Sequence, residues 1–168
     1  MAPDAQLPST EALSSESERA LAVCPHALSC PGCDLWGVDE LEQDRLKRQR
    51  VQRALETYPE LRVEVSPLAA ATTRLGYRSR TKLVVTSGKI GLYARGSHEV
   101  VDTSGCPVLD PKLERIVERL RQLDLARFGV ESLDLRRVDE GALLTLAVRE
   151  KTDTTELERI VSNELASL

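Results

Sequence analysis

The chain has 168 residues, a formal net charge of −4 and 30% charged residues. That length is enough for one domain with a sizeable core and hardly enough for two. Aromatic residues make up only 3% of the chain, so a core must be built from Leu, Val, Ile and Ala. We find no apolar run of about 18 residues and no basic segment leading into an apolar one. We therefore expect a cytoplasmic protein with no membrane partner.

The basic residues are concentrated in two segments, although the overall charge is acidic. Five lie between Arg45 and Arg53 and six lie between Arg74 and Arg95, with no acidic residue in either segment. The net charge is therefore a poor guide to the local surface. Residues 1–22 are rich in Pro, Ser, Glu and Ala. This composition predicts a flexible lead-in, followed by one domain over residues 23–168.

The hydrophobic pattern of the first half predicts one helix and then several strands. The helix is expected over Asp39–Thr57, where apolar residues recur at helical spacing and Pro59 follows. The next segments alternate as strands do, with Ser87-Gly88 as a tight hairpin turn. The predicted strands are Leu61–Val65, Arg80–Thr86, Lys89–Ala94 and His98–Thr103.

The second half predicts helix, hairpin and helix. A helix begins at Asp110-Pro111 and carries an apolar face made of Leu113, Ile116, Val117 and Leu120. Strands are expected over Ser132–Val138 and Ala142–Arg149, and a last helix over Thr154–Leu168. Strands joined by hairpins and interrupted by helices predict an α+β fold. We expect an antiparallel sheet with flanking helices, preceded by the N-terminal cysteine loop considered next, whose spacing is typical of an iron–sulfur site.

The four cysteines form the most informative pattern in the sequence. Three lie at C-x5-C-x2-C spacing in the cysteine loop, residues 24–37, and the fourth is far downstream in the sequence Gly-Cys-Pro; they are Cys24, Cys30, Cys33 and Cys106. Three closely spaced thiolates and one distant thiolate are typical of iron–sulfur sites. Pro31 and Gly32 allow the backbone to turn tightly around the sulfur atoms. We predict a [4Fe–4S] cluster on these four residues.

Other uses of the cysteines are possible. Four-cysteine zinc sites are common, but zinc ribbons prefer two C-x2-C pairs and only one is present. Isolated cysteines are usually small buried hydrophobic residues, yet each one here lies beside Pro or Gly. Disulfides are not expected without a secretory signal. His26 could replace a ligand, but with four cysteines available we interpret it as a loop residue.

A second unusual segment runs from Arg74 to Lys82. In a strand, alternate residues share one face of the sheet, and three cations without acidic neighbours then favour a phosphate backbone. Tyr77 could stack on a base. A solvated strand face is the alternative. The candidate RNA-contacting residues are Arg74, Tyr77, Arg78, Arg80 and Lys82.

In combination, these motifs resemble the RNA uracil-5-methyltransferases of the bacterial ribosomal-RNA type. The resemblance covers about residues 23 to 111: the cysteine loop, a basic helix, the Gly76-Tyr77-Arg78-Ser79-Arg80 motif, a hairpin with Gly91-Leu92, and Cys106-Pro107. It implies an iron–sulfur domain that holds and orients RNA and takes no part in the catalytic step. Residues 112–168 match the family's central domain only loosely.

The resemblance also implies parts that we do not find in this sequence. The family binds S-adenosylmethionine in a Rossmann-like domain that also supplies a nucleophilic cysteine, and no segment here resembles that domain. We therefore assign no catalytic residue and no residue that binds S-adenosylmethionine, and we expect a catalytic domain to be supplied elsewhere. Two alternatives remain: a ferredoxin-like electron carrier and a zinc-stapled module that binds nucleic acid.

Overall fold

The computed structural model describes residues 24–69, 71–139, 141–150 and 153–166. The predicted lead-in over residues 1–22 lies outside the described residues. The described chain divides into two compact units. The smaller unit contains Leu35–Ala69, and the larger one contains Cys24–Asp34 together with the described residues from 71 onward. In the described part of the chain, no helix is long and apolar enough to cross a membrane.

The smaller unit contains helix α1, Glu40–Leu55. Asp39 caps it, because its Oδ1 accepts hydrogen bonds from the backbone N–H groups of Leu41 at 2.9 Å and Glu42 at 3.4 Å. The predicted bounds of this helix are thus close to the observed ones. None of its residues is buried, and Val51 in the predicted apolar stripe is 49% exposed.

The predicted strand Leu61–Val65 is wrong. The segment pairs with none of the described strands and instead makes local backbone hydrogen bonds. The N–H of Leu61 donates to the carbonyl of Tyr58, and the N–H of Val63 donates to that of Leu61. The carbonyl of Val65 accepts a 2.9 Å bond from Nε of Arg48. These bonds occupy groups that a sheet ladder would need.

The larger unit is built on a five-stranded sheet of order β3-β2-β1-β4-β5, in which each neighbouring pair is antiparallel. This arrangement confirms the predicted α+β class. The hairpin turn at Ser87-Gly88 is also confirmed, since Thr86 pairs with Lys89. The strands are β1 Arg80–Thr86, β2 Lys89–Tyr93, β3 Val100–Asp102, β4 Val130–Val138 and β5 Gly141–Val148.

Two helices cover one face of this sheet and form the core with it. Helix α2 spans Pro111–Arg121, and helix α3 spans Thr155–Leu165. The predicted face of α2 is buried as expected, and each buried Leu, Ile or Val contributes about 1.5–3 kcal/mol. The core cluster includes Leu83, Leu113, Ile116, Val117, Leu120, Leu133, Leu135, Leu157 and Val161.

The segment between β3 and α2 returns to the start of β1 and carries Cys106. Arg78 forms a parallel bridge with Leu109. Its N–H donates to the carbonyl of Val108 at 2.8 Å, and its own carbonyl accepts from the N–H of Asp110 at 3.0 Å. This pairing fixes the Cys106 segment beside the residues that lead into β1.

Candidate metal and nucleic-acid site

The first three cysteines lie in a series of tight turns. The N–H of Ala27 donates to the carbonyl of Cys24 at 3.2 Å, and the N–H of Cys30 donates to that of His26 at 2.8 Å. Cys106 lies in a further turn, whose carbonyl accepts from the N–H of Leu109 at 3.2 Å. All four thiols are free and partly buried. Such positions suit thiolate ligands, because they are shielded but not sealed from the surroundings.

Two side chains connect the cysteine loop to later parts of the larger unit. Nε2 of His26 lies 2.6 Å from the carbonyl oxygen of Ser104, two residues before Cys106. Nη2 of Arg78 donates to the carbonyl of Gly32 at 2.8 Å and lies 4.0 Å from Sγ of Cys33. The loop and the Cys106 segment are thus held together from two sides.

The loop is packed tightly at Gly32. A Cβ added there would lie 3.2 Å from Cδ1 of Leu92 and 3.3 Å from Sγ of Cys30. The N–H of Gly32 also donates to Sγ of Cys30 at 3.4 Å. A backbone donor aimed at a thiolate stabilises its negative charge. Glycine at this position therefore serves both the close packing and the approach of the N–H to sulfur.

The thiols of Cys24 and Cys33 lie within electrostatic range of the other cysteines. Burial raises the pKa of the Cys24 thiol, and the charges of Cys106 and Cys30 raise it further. Burial also raises the pKa of Cys33, while the Arg78 guanidinium opposes that shift and the other three cysteines add to it. Mutual repulsion of this kind is what a bound cation would relieve.

In the described ranges, no group of three or more His, Cys, Asp or Glu side chains is gathered so that it could hold a metal ion. One zinc ion would draw four thiolates to about 2.3 Å from a single point. A cluster instead offers its cysteines several iron atoms. The charges of the cysteines act on the thiols of Cys24 and Cys33, but the described residues do not gather the four thiols into a metal-holding group, and the iron–sulfur cluster stays a prediction.

The candidate RNA-contacting residues separate into two groups. Tyr77 is 55% exposed, the Arg80 side chain is 58% exposed, and Arg74 and Lys82 are also exposed. Arg78 is only partly exposed, and its guanidinium is directed to the cysteine loop. Four of the five residues are therefore accessible to a ligand in solvent, whereas the Arg78 side chain makes contacts within the protein.

The expectation that this strand lacks acidic partners is wrong. Asp134 of β4 accepts two hydrogen bonds from Arg80, at 2.6 and 3.1 Å, and lies opposite Lys82 in the ladder. Arg136, which pairs with Arg80, adds a third exposed cation that the sequence analysis missed. Alternation along Ser132–Val138 is the signal that could have placed Asp134 and Arg136 on one face.

The sequence analysis also missed the contacts of His26 and Arg95. His26 lies in the loop, as predicted, and its Nε2 also contacts the carbonyl oxygen of Ser104. Arg95, in the turn after β2, forms an exposed ion pair of 2.6 Å with Asp34 beside Cys33. Both contacts join residues more than sixty positions apart, so no local sequence pattern predicts them.

Several known proteins with similar sequences are named as RNA methyltransferases. An RNA methyltransferase of Parasynechococcus marenigrum, itself uncharacterized, is 32% identical over 128 residues, which is 73% of this chain and 27% of that protein. The 23S rRNA (uracil(1939)-C(5))-methyltransferase RlmD of Chromohalobacter salexigens is 34% identical over 146 residues, or 81% of this chain and 30% of that enzyme. The resemblance to the RNA uracil-5-methyltransferase family is confirmed. No protein-family model matches the chain.

A solved structure shows the same fold. The crystal structure of Pyrococcus abyssi tRNA (uracil-54, C5)-methyltransferase, in complex with S-adenosyl-L-homocysteine, matches 76% of this chain and 34% of its own. The TM-score is 0.57 and the sequence identity is 20%, so this match concerns the fold alone. The chain thus spans about a third of the length of the proteins it resembles.

Proposed function

We propose that the chain is the iron–sulfur-bearing, RNA-binding portion of an RNA uracil-5-methyltransferase that acts on ribosomal RNA in the cytoplasm. The observation that carries this proposal is the meeting of the cysteine loop with the Cys106 segment. His26 and Arg78 tie the two together, and Cys106 lies close enough to Cys24 and Cys33 for its charge to act on both thiols. Relatives named as RNA methyltransferases support the same function.

Cys24, Cys30, Cys33 and Cys106 would hold a [4Fe–4S] cluster. The donor set fits, because it consists of four free, partly buried thiols with a backbone N–H already directed at one sulfur. When bound, the cluster supplies a structural staple. The four cysteines would hold the cysteine loop against the sheet, whose first strand, β1, begins more than forty residues later in the sequence. The loop would thereby shape the surface around β1.

The exposed cations of β1 and β4 would bind RNA phosphates. Arg80, Lys82 and Arg136 stand around a single carboxylate, Asp134, so the group carries an excess of two positive charges. Each phosphate contact releases counterions, which makes binding dependent on salt. Tyr77, exposed beside this group, could stack on an unpaired base, and Arg74 extends the positive charge towards the preceding segment.

Methyl transfer would be carried out by a catalytic domain other than these 168 residues, which binds S-adenosylmethionine. That domain supplies the thiolate that adds to C6 of uracil and the base that removes the C5 proton. In this proposal the present residues hold and orient the RNA for it. We assign no catalytic role to any of them.

The direct test is metal analysis of the protein purified without oxygen. We expect iron and acid-labile sulfide in equal amounts, with little zinc. Cys106→Ser should lower both contents and the melting temperature, whereas Ser29→Ala, in the exposed part of the same loop, should change neither. Stoichiometric zinc without sulfide would instead establish a zinc-stapled module.

The ferredoxin-like alternative requires a separate measurement. An electron carrier should cycle reversibly between two redox states and accept electrons from a reductase. A structural cluster should degrade on repeated cycling, and the domain should unfold as the cluster is lost. Reversible cycling that leaves the protein stable in the absence of RNA would favour the carrier over the present proposal.

A further inference from the structure

Arg78 has two sets of contacts, one through its backbone and one through its side chain. The backbone pairs on both sides with the segment after Cys106, through Val108 and Asp110. The side chain reaches back 46 positions to donate to the carbonyl of Gly32. Together with His26, which contacts Ser104, Arg78 thus joins the Cys106 segment to the cysteine loop.

The Arg78 guanidinium lies close to both Gly32 and Cys33. Gly32 lies between Cys30 and Cys33, and a Cβ there would be 3.4 Å from Nη1 of Arg78. Nη2 meanwhile lies 4.0 Å from Sγ of Cys33. The planar guanidinium therefore lies along the turn that carries two of the four thiols, with one edge on a carbonyl oxygen and near a sulfur.

We infer that Arg78 is a positioning residue of the cysteine site: its guanidinium fastens the cysteine loop to the Cys106 segment and keeps a positive charge beside Cys33. This inference rests on the proposed function and reassigns Arg78 from the RNA-contacting group. An arginine suits this role, because it stays charged and offers several donors in a fixed fork. A cation beside a metal centre also favours the state with more negative charge.

Three variants separate the contact from the charge. Arg78→Gln removes the charge, Arg78→Lys keeps the charge without the fork, and Arg119→Gln removes an exposed arginine of α2 that pairs with Glu164. Hydrogen exchange of residues 24–34 measures the fastening. We expect faster exchange in Arg78→Gln, a smaller increase in Arg78→Lys, and no change in Arg119→Gln. Unchanged exchange in a folded Arg78→Gln protein would overturn the inference.

Two measurements on the loaded protein test the same inference. Loss of iron to a chelator should be about tenfold faster or more in Arg78→Gln, as for other residues that support metal ligands. The reduction potential should become more negative in Arg78→Gln and stay close to that of the original protein in Arg78→Lys. Equal reduction potentials in the original protein, Arg78→Gln and Arg78→Lys would contradict the electrostatic part of the inference. If the protein holds zinc or no metal, the proposed function fails, while hydrogen exchange still decides the fastening.

Discussion

Arg80 and Asp134 form a two-pronged ion pair across β1 and β4. Nη2 and Nε of Arg80 lie 2.6 and 3.1 Å from the two carboxylate oxygens. The hydrogen bond from Arg80 lowers the pKa of Asp134, and the charges of Lys82 and Arg136 lower it further. The carboxylate therefore stays ionised at neutral pH, and the pair is lost only as the pH falls through that lowered pKa. Any phosphate that binds Arg80 must compete with this carboxylate.

We predict that Asp134→Asn strengthens RNA binding. Removing the competing charge should raise affinity about two- to fivefold, because an exposed ion pair competes only weakly. Binding of a ribosomal RNA fragment at several salt concentrations measures both the affinity and the salt slope. Lys82→Ala should do the opposite, with weaker binding and a shallower slope. If neither variant changes affinity or slope, the strand face is only solvated.

The distance along the chain between two interacting residues decides whether local sequence predicts their contact. Helix α2 was predictable because its cap at Asp110 and its apolar face are local signals. The Arg80–Asp134 pair and the contact of Arg78 with Gly32 depend on partners 54 and 46 positions away. The segment Leu61–Val65 has the composition of a strand, but a strand also requires a partner, which local sequence does not reveal.

We predict that Gly91→Ala destabilises the sheet of the larger unit. A Cβ at Gly91 would lie 1.8 Å from the carbonyl oxygen of Val101 and 2.8 Å from its carbon, so β2 and β3 would have to separate. We expect a loss of about 1–3 kcal/mol in the free energy of unfolding, measured with urea. Gly141→Ala is the matched control, because its nearest neighbour would be 3.6 Å away. Equal stability of the two variants would contradict the close approach.

We predict that Arg121→Leu loosens β3. The Arg121 side chain is only 12% exposed; it forms an ion pair with Asp102 of β3 and donates to the carbonyl of Ile90 at 2.9 Å. Its loss leaves the partly buried carboxylate of Asp102 without its cation, although the N–H groups of Ile90 and Ser104 still donate to it, and should cost about 2 kcal/mol in unfolding free energy. Arg119→Leu removes a more exposed pair with Glu164 and should cost less than about 1 kcal/mol. The reverse order in thermal or urea unfolding would refute this ranking.

We predict that these 168 residues do not methylate RNA by themselves. A Rossmann-type site for S-adenosylmethionine needs parallel strands and a Gly-rich turn from strand to helix, whereas the strand pairs of the described sheet are antiparallel. Gly88 lies in the turn between β1 and β2, and Gly91 and Gly141 lie within the antiparallel strands β2 and β5. A thiolate bound to iron is not free to attack C6 of uracil.

Labelled S-adenosylmethionine and a uridine-containing ribosomal RNA provide the assay for that prediction. The cluster-loaded chain should incorporate no label at C5 when it is alone, although it should retain RNA on a filter at low salt. Addition of a catalytic domain from a relative should restore incorporation if the two parts cooperate on one RNA. The Cys33→Ser variant, added with the same catalytic domain, should support less methyl transfer, because its cysteine loop is no longer held in place. Label incorporated by the chain alone would mean that these residues contain an active site.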